Sequence, residues 1–178
     1  PAFASLSSIM NRRNFLLTTS MLLPASALAD SPKVQTLDGV LHWLDRLDQA
    51  ATVRSTTDWK MQAVLEHLAQ SIEMSLDGFP QAKPIWFQAT VGTAAFAIFG
   101  LLGLMRHGLT EPIPGAPALT QRDDWKAGAQ RLRIAVNRFL ARQGPLHPHF
   151  AYGALSKPDF ARAHVYHVAN HQDEIVVS

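Results

Sequence analysis

The sequence predicts an all-α protein, a bundle of four main helices with an additional short or irregular apolar helix. Three observations carry that expectation. Apolar residues recur at helical spacing in separate stretches, capping residues precede those stretches, and alternating strand patterns are almost absent after Asp30. With 178 residues, 47% of them hydrophobic, the chain can bury one proper core, which excludes a disordered protein.

The elements follow in chain order. Residues 1–9 precede Met10 as an upstream extension with no assigned role. From Met10 to Ala29 the chain has paired Arg12 and Arg13, then Phe15-Leu16-Leu17, an apolar stretch and Ala27-Leu28-Ala29. That order of charged, apolar and small-residue regions reads as an export signal, and the arginine pair resembles a twin-arginine signal. Residues 30–178 are then the body, with the periplasm as its expected location. Residues 14–29 could also form a core helix, or stay uncleaved as an anchor to the inner membrane. The 15 residues between Asn14 and Asp30 are short for a span, which needs ~20, and Pro24 would kink them.

In the body, Thr36 is placed to cap a first helix with Leu37, Val40, Leu41, Leu44 and Leu47 on one face. Thr57 is expected to cap a second, from Asp58 through Trp59, Leu65, Leu68 and Ile72 to about Leu76, stopped by Asp77-Gly78-Phe79-Pro80. Ala89–Met105 is an uncharged run of 17 residues with three glycines, read first as a buried helix and second as a membrane segment. Glu111 to Pro117 is a rigid, extended connection rich in proline. Thr120 with Asp123 predicts a helix from about Arg122 to Arg142, its buried stripe formed by Trp125, Leu132, Val136, Phe139 and Leu140. Ser156 with Asp159 opens the last helix, and Pro158 suits its first turn.

Charge narrows the function classes. The net charge is +2, and removing Arg12 and Arg13 with a leader leaves 14 basic side chains against 14 acidic ones. A nearly neutral body is not expected to bind nucleic acid, which needs a clustered positive surface. Arg131, Arg133, Arg138 and Arg142 are the one candidate cluster, and a helix face in solvent explains them. The absence of cysteine excludes disulfides, thiolate metal sites and a protein thiol nucleophile. Any metal must be held by imidazole, carboxylate or backbone oxygen, and eight histidines favour imidazole.

The last helix carries His164, His167 and His171. His167 and His171 are four apart, so they stack one turn from each other and can reach one ion. Such a pair alone does not decide between ligands and hydrogen-bonded core rings. A third ligand must come from a facing helix, and His67 sits centrally in the second helix among apolar neighbours. His42, His107, His147 and His149 fall in loops or on less marked faces and are not expected to be ligands.

Two blocks carry a family resemblance: Trp59 to Ser75, and His149 to Ser156 followed by Ala163 to His171. Together they resemble an uncharacterised bacterial branch of the DinB-like superfamily, some members of which carry twin-arginine signals. The resemblance implies a four-helix bundle with a three-histidine metal site, whose positions fall on His67, His167 and His171. His164 matches the branch pattern without being one of the usual ligands. The Ala89–Met105 run is more apolar than that branch usually shows, which leaves room for contact with a membrane, a membrane complex or a second copy of the chain.

Three neutral imidazoles on a divalent ion leave a coordination position for water or a substrate thiolate. Zinc or nickel is the expected ion, although iron and manganese also accept imidazole. The superfamily includes thiol-dependent transferases and isomerases, but an oxidising compartment holds little low-molecular-weight thiol. The expectation is therefore a metal-dependent hydrolase or transferase, with Glu73, Gln70 or His164 as supporting groups. A non-catalytic subunit of a membrane-associated complex is the alternative. No nucleotide, phosphate or sugar motif names the small-molecule substrate.

Overall fold

A computed structural model describes residues 32–178, so the extension at 1–9 and the signal read at 10–29 lie outside the described residues. The body is an all-α bundle with one small ribbon. Helix α1 (Leu37–Gln49) starts as its sequence predicts, with Thr36 Oγ1 accepting from the Gly39 amide at 2.9 Å. It buries Leu37, Val40, Trp43, Leu44 and Leu47, an apolar stripe of helical period.

Helix α2 (Met61–Asp77) is the central element. All but two of its residues are buried, including the polar Gln62, Glu66, His67, Gln70, Ser71 and Ser75. A helix buried all round must satisfy those polar groups internally. The expected start at Asp58 is three residues early, because Thr57 turns its hydroxyl to Glu174 instead of capping a helix. The α2 amide of Gln62 is instead paired with the Arg122 carbonyl at 3.1 Å. The same crossing explains why α5 (Lys126–Ala141) begins later than Arg122. Residues near Thr120 are drawn onto α2, where the Thr120 amide donates to Glu66 Oε2 at 2.8 Å. Gly128 lets α5 approach closely, since a Cβ there would stand 3.0 Å from the Gln62 carbonyl and from Leu65 Cβ. Trp125, Leu132, Val136 and Phe139 are buried as expected, whereas Leu140 turns outward.

Three of the four arginines read as a solvated face form ion pairs with carboxylates on neighbouring helices. Arg131 pairs with Glu73, Arg133 with Asp45 and Asp48, and Arg138 with Asp77. Arg142 donates to the Pro145 carbonyl. Partly exposed pairs of this kind contribute little stability each, but they leave few cations there for phosphate.

Helix α6 (Lys157–His171) is capped as predicted, Ser156 Oγ accepting from the Asp159 amide at 3.2 Å with Pro158 in the first turn. A short 3-10 turn, Gln172–Glu174, follows directly. Strand patterning alone does not reveal what comes next. Residues Val53–Ser55 (β1) and Ile175–Val177 (β2) pair antiparallel, Val53 opposite Val177 and Ser55 opposite Ile175. Three-residue strands are too short to show a period, and pairing across the whole chain leaves no local signal. The ribbon ties the end of α6 to the connection between α1 and α2.

Between α2 and α5 lies the largest departure from expectation. Ile85–Phe87 (α3), a π turn at Gln88–Gly92 and Thr93–Leu102 (α4) form one continuous helical segment. It is not buried. Only 6% of Ile85–Leu102 is inside, and Ile85, Trp86, Val91, Ile98, Leu101 and Leu102 are exposed. Its mean hydropathy of 1.7 over 18 residues suffices, by length and composition, to cross a membrane. Gly92 seats the segment on the rest of the chain, since a Cβ there would lie 1.9 Å from the Ala151 carbonyl oxygen. Phe96 also packs on Tyr152, with ring centroids 5.3 Å apart.

Candidate metal centre

Helices α2 and α6 bring His67, His167 and His171 together, with one nitrogen from each ring within 4.8 Å of the others. His67 projects from the middle of α2, and the four-residue spacing stacks the other two rings on one face of α6. Ring centroids are 4.8 Å apart for His67 and His167, 5.1 Å for His67 and His171, and 4.9 Å for His167 and His171.

The hydrogen bonds behind the rings define where their lone pairs face. His171 Nδ1 lies 2.5 Å from Glu174 Oε1, and a carboxylate accepts, so Nδ1 carries the hydrogen and Nε2 the lone pair. That Nε2 is buried with no hydrogen-bond partner. The Ser71 hydroxyl donates to the Leu68 carbonyl, so it accepts from His167 Nδ1 at 3.1 Å, which puts the lone pair of the neutral ring on Nε2. His67 Nε2 stands 3.0 Å from His167 Nε2, and His67 Nδ1 has no hydrogen-bond partner. Two nitrogens about 2.05 Å from one tetrahedral ion would lie roughly 3.3 Å apart, close to this separation. A buried lone pair without a partner is costly, and a bound cation would relieve that cost.

Electrostatics favours the neutral ring at His67 and His167. Burial, reinforced by the neighbouring His171 and His107, pushes His67 down to about 3. Burial and then four nearby histidines, His67 first among them, hold His167 well below 6.5. Neutral imidazole is the form that binds metal. The residues present therefore fit a divalent ion.

Glu174 completes this arrangement and was not anticipated as a candidate. Its Oε2 accepts from Thr57 Oγ1 at 2.5 Å and from Ser55 Oγ at 3.2 Å, and it is 1% exposed. The β1–β2 ribbon places it, because the Thr56 amide donates to the Glu174 carbonyl at 2.8 Å. Its position three residues after His171 is the signal that could have pointed to it. His107 was also set aside from the ligands, yet its ring centroid lies 4.8 Å from that of His167 and 5.3 Å from that of His171.

The supporting groups expected from sequence are distributed differently. Glu73 faces α5, held by both Arg131 donors at 3.0 and 2.7 Å, away from the three rings. Gln70 donates to the Pro117 carbonyl at 3.0 Å and pins the proline-rich connection. His164 donates to Ser75 Oγ at 3.2 Å and packs against Phe139 and Phe160, as a core ring does. One edge of it reaches a cavity of about 430 Å³ that is also lined by His67 and His167. Met105, Ile113 and Phe150 make its apolar wall, with Lys83 and Glu111 as the charged residues. This volume is in the range of small-molecule sites.

Fold and site together define a helical bundle with a cluster of imidazoles beside an apolar cavity. Comparison with family models places residues 29–178 in the family described as protein of unknown function (DUF1569), and the chain belongs to that family. Nothing matches the chain among curated proteins or among solved structures.

Proposed function

We propose that this protein is a metal-dependent enzyme of hydrolase or transferase type, acting on a small molecule through a divalent ion held by His67, His167 and His171. The observation that carries the reading is the bare, buried Nε2 of His171, fixed by the Glu174 carboxylate on the other side of the ring. Zinc or nickel there would supply a Lewis acid with a coordination position left for substrate or water. The chain's own residues hold the ligands and shape the pocket. Ser71 and Glu174 keep His167 and His171 in one tautomer and orientation. Met105, Ile113 and Phe150 give the cavity an apolar wall, and Lys83 offers a cation to an anionic group of the substrate.

The likeness to the DinB-like superfamily noted from sequence supports the same ligand set, and the twin-arginine-like segment supports export to the periplasm. A second reading rests on the exposed Ile85–Leu102 face, which suits an accessory subunit of a membrane complex or a homodimer. Recovery as a free soluble monomer would count against that second reading.

The deciding experiment is metal analysis of the full chain purified without chelators, beside His167→Ala. About one divalent ion per chain is expected in the native protein, with loss of that ion in the variant. Equal metal content in the two would overturn the assignment.

A further inference from the structure

His107 stands apart from the three rings in sequence and in secondary structure. It lies after α4, in the loop that leads to the proline-rich connection, whereas the other three project from α2 and α6. Its ring nevertheless lies 4.8 and 5.3 Å from those of His167 and His171 between centroids, beside the 4.8 to 5.1 Å found among the three rings. Its Nδ1 donates to the Gly108 carbonyl at 2.8 Å, which leaves the lone pair on Nε2. A metal-binding histidine commonly has this arrangement, with one nitrogen donating to a carbonyl and the other free for the ion. The ring also lines the cavity that His67 and His167 share.

Its attachment is looser than that of the other rings. The loop is held at this point by a 3.4 Å contact from Asn170 Nδ2 to the His107 carbonyl, and the preceding helix is largely exposed. His67 and His171, by contrast, are 2% and 0% exposed on packed helices.

We infer that His107 is a displaceable fourth ligand of the metal site, one that a substrate or small anion entering the cavity replaces. The inference rests on the metal-site reading and adds to it how the open coordination position is guarded. A four-imidazole shell protects the ion at rest, and exchange of one loop-borne imidazole exposes it without disturbing the bundle.

The test uses cobalt(II) as a spectroscopic stand-in in the full chain, with His107→Ala and His107→Phe as variants. The native protein is expected to bind one cobalt with a four-nitrogen absorption spectrum that azide changes. Both variants should keep the ion but bind it more weakly, by on the order of 10-fold to 100-fold, the range for groups that support a metal shell. Their spectra should differ from the native one, and free imidazole should restore the native spectrum in His107→Ala but not in His107→Phe, where the benzyl group fills the space. Variants whose spectrum and affinity equal those of the native protein would overturn the inference and leave the three-histidine site intact. A native spectrum insensitive to azide, with altered variants, would make His107 a fixed ligand and overturn its displacement. If the native chain binds no cobalt, the metal reading and the inference fail together.

Discussion

Replacing Glu174 tests the link between the ribbon and the site. The carboxylate accepts from His171 Nδ1, Thr57 Oγ1 and Ser55 Oγ in a fully buried position. Glu174→Gln keeps the shape and an acceptor oxygen but removes the charge that polarises the His171 ring. Weakening a carboxylate–histidine support commonly costs about 10-fold to 100-fold in metal affinity, or roughly 1.4 to 2.7 kcal/mol. Glu174→Ala additionally strands a buried donor. Ser55 Oγ and Thr57 Oγ1 keep each other as partners at 3.0 Å, so His171 Nδ1 is the group left unpaired. At about 1–3 kcal/mol for an unpaired buried donor, the alanine variant should lose about 1–3 kcal/mol of stability. Competitive zinc titration with a chromogenic chelator reads the first quantity, and urea unfolding of the metal-free chain reads the second. The expected pattern is weaker metal binding in both variants and a large stability loss in alanine alone. If Glu174→Gln binds zinc as tightly as the native chain, the carboxylate does not support His171 as argued.

Further outcomes follow from burial and close packing. His149 and His164 are each pushed from 6.5 down to about 3, chiefly by burial, and His149 Nδ1 accepts from the Ala151 and Tyr152 amides at 3.2 Å. Below about pH 6.5 the unfolded chain takes up protons that the folded rings refuse, so stability is full above that pH and falls as the pH drops towards 3. Each ring should contribute a loss of about 1.4 kcal/mol by pH 5.5, read as a lower urea midpoint. A midpoint unchanged between pH 7.5 and 5.5 would refute this burial argument. Gly92→Ala should lift the apolar helix off Ala151, because its Cβ would meet that carbonyl oxygen at 1.9 Å. Overpacking of this kind costs about 1–3 kcal/mol, and amide exchange at Gly153, whose N–H donates to the His149 carbonyl, should quicken. Unchanged exchange there would mean that Gly92 does not seat the helix.

Some features were legible because they are properties of a few neighbouring residues. The Thr36 and Ser156 caps form as read, since a cap needs only its own first turn. The same logic failed at Thr57 and Thr120, where a distant partner competes for the residue. Glu174 takes the Thr57 hydroxyl, and Glu66 takes the Thr120 amide. The His167–His171 pair was visible from spacing, and His67 from its central place in an apolar helix. His107 was not, because a loop has no period from which to infer where a ring is aimed.

Sequence alone determined that this chain is a helical bundle, that thiolate is excluded as a metal ligand, and that His67, His167 and His171 sit on two helices. Those conclusions depend on composition and on the 3.6-residue repeat, which are local. Tertiary structure decided the rest. It turned the apolar 85–102 segment outward, although hydropathy is the same for a buried and an exposed helix. It paired Val53–Ser55 with Ile175–Val177, and that pairing sets Glu174 behind His171. It also carried His107 beside the three rings. Each of these depends on contacts between residues far apart in the chain, where loop closure and packing choose the partner and no local pattern records the choice.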